Sequence, residues 1–121
     1  MHQVLLSLGA NYDAESNLPE ARLCLEQVLL FPHYTPAIWT EPINSKLKNK
    51  YLNQLVKGQT SLGFPDLSNA LKAIETQLGR TDEDRQQGIV RIDLDILEFD
   101  GIRHHLRDWE RPYVQLLLPQ F

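Results

Sequence analysis

The residues best equipped for chemistry are two aspartates in Arg91-Ile92-Asp93-Leu94-Asp95-Ile96-Leu97-Glu98-Phe99. Charged and apolar residues alternate there with period two, the pattern of a half-buried strand. Ile92, Leu94 and Ile96 then point to one face, into a core, and Asp93 and Asp95 point together to the other. Side chains on one strand face stand roughly 6.5–7 Å apart. Two carboxylates so placed repel each other unless a cation sits between them. They suit one or two Mg²⁺, which take carboxylate oxygens plus substrate phosphates. By the same alternation Arg91 shares their face. A strand whose solvent face simply carries two acids has the same pattern, so the decision falls to the rest of the chain.

Three other groups carry useful chemistry. Gly9-Ala10-Asn11 ends an apolar run, and its glycine allows a sharp turn or a close approach. Thr40-Glu41-Pro42 is a polar turn. Tyr51 and Asn53 share one face of a strand, and an aromatic beside an amide suits a flat heterocycle: the ring stacks and the amide reads its edge. His104 and His105 are adjacent, so on a strand they face opposite ways and build no joint metal site.

These groups need elements to position them. Val4-Leu5-Leu6-Ser7-Leu8 reads as a buried strand. A first helix follows, capped by Asn17 with Glu20 three residues on, striped by Leu18, Ala21, Leu25 and Val28, and ending near Leu30. Tyr34 to Thr40 is a second strand and Tyr51 to Thr60 a third, joined by a polar loop, Asn44 to Lys50, with lysines at 46, 48 and 50. Pro65 opens a second helix with Leu67, Leu71, Ile74 and Leu78 on its core face and Gly79 at its end. Thr81 to Gly88 is a very polar loop, and the aspartate strand follows. Asp100-Gly101 marks a turn, and Val114 to Leu118 is apolar. Trp39 and Trp109 are expected to pack in the core or at an interface.

The order strand, helix, strand, strand, helix, strand predicts an α+β, ferredoxin-like βαββαβ domain spanning 1–121. Its sheet is antiparallel, with both helices on one face and the other face free. A chain of 121 residues with 42% hydrophobic content suits one soluble globular domain. The net charge of −4 gives no global basic footprint for nucleic acid or anionic membrane. The single Cys24 excludes an internal disulfide and is expected to pack. No apolar run has the length of a membrane span, and the N-terminus lacks a signal-peptide pattern, so a cytoplasmic location is expected.

Taken in order, several pieces of the chain resemble the 6-hydroxymethyl-7,8-dihydropterin pyrophosphokinases of folate biosynthesis. They are Leu6-Ser7-Leu8-Gly9-Ala10-Asn11, Asn17-Leu18-Pro19-Glu20-Ala21, Trp39-Thr40-Glu41-Pro42, Tyr51-Leu52-Asn53, Ile74-Glu75-Thr76-Gln77-Leu78-Gly79-Arg80 and Ile92-Asp93-Leu94-Asp95-Ile96-Leu97. The resemblance implies transfer of diphosphate from ATP to the hydroxymethyl group of the pterin. It implies that Asp93 and Asp95 hold two Mg²⁺. Thr40, Pro42, Tyr51, Asn53 and Tyr113 would form the pterin pocket. Glu75, Arg80 and Arg111 would lie on the nucleotide side, with Arg80 close to the chemistry. Such enzymes carry an arginine-rich loop with a tryptophan after the Gly-Arg pair. Here that stretch holds Asp82, Glu83 and Asp84 with one basic residue, Arg85, so Arg85 and Arg91 are the expected displaced counterparts.

Two function classes fit. One is an Mg²⁺- and ATP-dependent diphosphotransferase. The other is a paralogue that keeps the fold and a pterin- or nucleotide-like pocket without efficient transfer. The loop separates them: Arg85 and Arg91 facing the aspartates across a cleft favours the first, and acids lining that cleft favour the second.

Overall fold

Residues 4–10 are buried without interruption, as expected of a strand at the centre of a sheet. The computed structural model describes residues 1–42 and 46–121; Asn44 and Ser45 of the expected polar loop lie outside the described residues. The central strand is β1 (His2–Ala10). Then come α1 (Ala14–Leu25), β2 (Leu30–Tyr34), β3 (Ile38–Thr40), β4 (Tyr51–Thr60), α2 (Phe64–Gln77), α3 (Asp82–Gln87), β5 (Asp93–Phe99), β6 (Ile102–Arg103), α4 (Leu106–Trp109) and α5 (Pro112–Leu117). Among the described residues the sheet order is β2-β4-β1-β5-β6, with β3 also on β4, and the pairs are antiparallel. This is the expected α+β, ferredoxin-like arrangement.

The apolar residues of one sheet face, Leu6, Leu8, Val56, Leu94 and Ile96, meet the expected stripes of α1 and α2. The other face is not free. Leu5, Leu55 and Leu97 on it are covered by Trp109, Val114 and Leu117 from α4 and α5. The Trp109 indole N–H donates to the carbonyls of Leu97 and His104, both at 3.1 Å, which fixes this segment to β5. Trp109 is therefore packed, whereas Trp39 is half exposed.

Several boundaries differ for local reasons. Helix α1 starts three residues before Asn17, whose amide donates to the Tyr12 carbonyl instead of capping. It ends at Leu25, because the chain must turn back to pair Leu30 with Gln59. The second strand splits at Pro36, which has no N–H to give a ladder. The stretch after Arg80 is not a loop. Thr81 Oγ1 accepts the Asp84 N–H at 3.1 Å, three acids favour the positive end of the short α3, and Gly88 (φ 75°) ends it. At Asp100-Gly101 both residues have positive φ, as a two-residue hairpin between β5 and β6 requires.

Candidate active site

Antiparallel register builds the site. Gly9 on β1 pairs with Asn53 on β4 and with Asp93 on β5, and Ser7 pairs with Asp95. Directly paired side chains share a face, so Ser7, Asn53, Asp93 and Asp95 lie on the sheet face that the helices α1 and α2 leave. A Cβ on Gly9 would sit 3.0 Å from Asn53 Oδ1, so the glycine admits the amide across the strand. The Asn53 amide N–H donates to Thr40 Oγ1 at 2.6 Å.

Two clefts meet at the aspartates. The first, about 190 Å³, is lined by Thr40, Tyr51 and Asn53 on one side and by Asp108, Arg111 and Tyr113 of the α4–α5 segment on the other. The second, about 290 Å³, runs along α2 past Phe64, Ser68, Lys72 and Glu75 to His105. Asp93 and Asp95 line both.

The charges are unevenly matched. Glu75 is buried; its carboxylate accepts the Leu94 N–H at 2.8 Å and holds Arg80 at 3.1 Å. Arg80 Nη1 also reaches Asp93 Oδ1 at 3.3 Å. Arg111 Nε is 3.0 Å from Asp108. Among the described residues the one ion pair of Asp95 is a long one, to His105 Nε2 at 3.8 Å. Burial first, then the charges of Asp93, Asp108 and Glu75, push the Asp95 carboxyl up to about 7. Burial likewise raises Glu75, against the pull of the Leu94 N–H and Arg80. Such a centre is short of positive charge. Among the described residues no cluster of three or more His, Cys, Asp or Glu side chains is set to hold a metal. Two hard carboxylates that leave the remaining positions to phosphate and water fit Mg²⁺, which keeps much of its coordination outside the protein.

Residues 5–121 match the family described as 7,8-dihydro-6-hydroxymethylpterin-pyrophosphokinase. The chain belongs to this family. Similar curated proteins include a folate synthesis bifunctional protein of Arabidopsis thaliana, 32% identical over 122 residues, covering 93% of this chain and 25% of the relative. The mitochondrial folate synthesis bifunctional proteins of Arabidopsis thaliana (33% over 123 residues, 93% and 22% covered) and Pisum sativum (34% over 122 residues, 93% and 24% covered) are alike. The chain thus spans about a quarter of the length of these relatives. Two of the three are named mitochondrial, so they lend no support to the expected cytoplasmic location. Among the described residues no helix is long and apolar enough to cross a membrane.

Of the residues that the pyrophosphokinase resemblance selects, Thr40, Tyr51, Asn53, Tyr113, Arg111, Asp93 and Asp95 line the first cleft, and Glu75 lines the second. Arg80 stands at Asp93. Pro42, expected in the pocket, does not line the first cleft, where its neighbour Glu41 takes part instead. Arg91 does not share the aspartates' face. The ladder with β1 begins at Asp93, so alternation does not extend back to it. Its guanidinium goes to Asp84 at 2.7 Å and lies over the Tyr12 ring at 4.8 Å. That pairing holds the Asp84 carboxyl below its usual range. Arg85 is exposed on α3, and no residue of α3 lines either cleft. Neither arrangement expected of the loop is therefore present. Ser7 and Asp108 are site residues that the sequence reading missed. Ser7 was legible, because it alternates with Gly9 on one face of β1.

Proposed function

We propose that this domain transfers the β,γ-diphosphate of ATP to the hydroxymethyl oxygen of 6-hydroxymethyl-7,8-dihydropterin, with Mg²⁺, in folate biosynthesis. The observation that carries this reading is the aspartate pair shared by two separate clefts. A group passing between two bound molecules needs such a shared wall.

The first cleft suits the pterin. Tyr51 and Tyr113 offer ring faces, and Asn53, oriented by Thr40, offers an amide for the heterocycle's edge. The second suits the nucleotide, with Glu75 and Lys72 along α2. In the reaction the pterin oxygen bonds to the β-phosphorus, the bond from that phosphorus to the α–β bridging oxygen breaks, AMP leaves and the hydroxyl proton is released. Asp93 and Asp95 would hold two Mg²⁺, which neutralise phosphate charge and polarise the reacting oxygens. Glu75 fixes Arg80 beside Asp93, where its guanidinium can meet phosphate. Arg111 lines the first cleft rather than the second and would turn from Asp108 to an oxygen of the diphosphate. Arg85 and Arg91 need a different loop position to contribute.

The acids of α3 lie outside both clefts, so they raise no charge barrier there; Arg85 and Arg91 do not line the clefts either, so this stretch does not separate transfer from the non-transferring paralogue. Calorimetry with a non-hydrolysable ATP analogue and the pterin tests the division of labour. Removing Mg²⁺ with a chelator is expected to weaken the analogue at least about tenfold, since phosphate binding here depends on the cation. Pterin affinity should change less than about twofold, because stacking and amide contacts need no metal. Equal loss of both ligands would contradict the assignment of the clefts.

A further inference from the structure

Ser7 sits in the middle of β1 between Leu6 and Leu8, which are completely buried. Its own side chain is on the opposite face, paired in register with Leu55 on β4 and Asp95 on β5. It is therefore the point where the apolar cluster under α5 meets the polar floor of the first cleft. Only 4% of Ser7 is exposed, and its hydroxyl shares a 2.9 Å hydrogen bond with the Tyr113 hydroxyl.

We infer that Ser7 is a positioning residue for the aromatic wall of the pterin cleft: its hydroxyl tethers Tyr113 and fixes the ring plane against which the heterocycle stacks. The inference rests on the pterin reading given above. Three observations carry it. Tyr113 is brought to the site by a six-residue helix that Val114 and Leu117 anchor on the sheet face, and its ring packs against that same apolar cluster, which offers nothing polar to hold the hydroxyl end. A tyrosine hydroxyl in a half-buried place needs a polar partner, and Ser7 supplies it. The tether joins the outer end of the ring to β1, the most buried strand, so one bond restrains the side-chain torsions that would let the ring swing. Burial raises the Tyr113 hydroxyl pKa, so the group stays protonated at neutral pH and the bond persists. A ring already ordered before binding loses less freedom when the ligand arrives.

The test is a double-mutant cycle with Ser7→Ala, Tyr113→Phe and the double variant, read by calorimetric pterin affinity. Each single change is expected to weaken the pterin about threefold to tenfold, the cost of ordering one side chain on binding. The double variant is expected to be no weaker than the worse single, because both changes delete the same bond. Affinity for the ATP analogue should not move in Ser7→Ala, which a general loss of structure would not spare. Multiplying effects in the double variant, or wild-type pterin affinity in Ser7→Ala, would overturn the inference. A ligand-free reading keeps the two proposals apart. With all four tyrosines ¹³C-labelled at Cζ, only the Tyr113 resonance should shift in Ser7→Ala. If the wild type binds no pterin, the functional reading fails. If Tyr113 does not shift, the tether is refuted whatever the pterin result.

Discussion

Asp95→Asn is expected to lower pterin-dependent AMP formation by at least about 10³-fold, roughly 4 kcal/mol of transition-state stabilisation, and to raise the melting temperature of the ligand-free protein near neutral pH. Both halves come from one arrangement. Asp95 lies between the two clefts, near Asp93, Asp108 and Glu75, and among the described residues its one ion-pair partner is His105 at 3.8 Å. Its carboxyl is pushed up to about 7. The sign follows from linkage. The folded state keeps a proton that the unfolded chain has lost, so Asp95 costs stability increasingly as pH rises from about 4 to about 7, and fully above that. Asparagine removes this cost, so the gain in melting temperature should be largest above about pH 7 and vanish below about pH 4. A residue that weakens the fold while serving the site matches a trade of stability for function. Thermal melts at several pH values, beside the AMP assay, read both effects. Full activity in Asp95→Asn would remove the metal-holding role. A fall in melting temperature at neutral pH would show that the charge is already matched by something else.

The second large effect concerns the segment that completes the first cleft. Trp109→Ala is expected to destabilise the protein by about 3–5 kcal/mol, the range for deleting a buried large aromatic. That corresponds to a melting shift of roughly 10–20 °C for a domain of this size. The ring is 7% exposed, stacks under the Arg103 guanidinium at 4.0 Å and closes the cluster over Leu5, Leu55 and Leu97. Its N–H also serves two carbonyls, which lose that partner in the variant. The segment it anchors brings Asp108, Arg111 and Tyr113 to the site. Pterin affinity should therefore fall even at temperatures where the variant stays folded, while Trp109→Phe should keep most of the packing and lose mainly the N–H bonds. Thermal denaturation together with pterin calorimetry on both variants checks this. An unchanged pterin affinity in folded Trp109→Ala would show that α4 and α5 do not shape the cleft.

Much of this was legible because β-structure writes its faces with period two. The inward Leu94 and Ile96, the outward Asp93 and Asp95 and the shared face of Tyr51 and Asn53 all follow from alternation. Alternation fails where a strand has not yet begun, and Arg91 is the case in point. It lies two residues before the ladder, so its partner is set by tertiary contact with Asp84. Helix α3 was missed although its signals were present: Thr81 and Asp84 at cap spacing, and Gly88 three residues after Arg85. A run of polar residues with no apolar stripe gave no periodicity to support them. The covered second face was hidden for another reason. Val114 to Leu118 reads as an apolar tail and Trp109 as a packing residue in a charged stretch, and only folding shows that Trp109, Val114 and Leu117 lie across Leu5, Leu55 and Leu97. Asp108 entered the site with them, and nothing in its local sequence marks it as a cleft residue.

In the proposed function the shared aspartates serve transfer between two bound molecules. The most direct test is ³¹P NMR of the protein with ATP, Mg²⁺ and 6-hydroxymethyl-7,8-dihydropterin. The arrangement of the clefts predicts that ATP signals decay only when the pterin is present, giving AMP and a pterin diphosphate in equal amounts. Formation of ADP or free phosphate instead, or unchanged ATP with both ligands demonstrably bound, would contradict it.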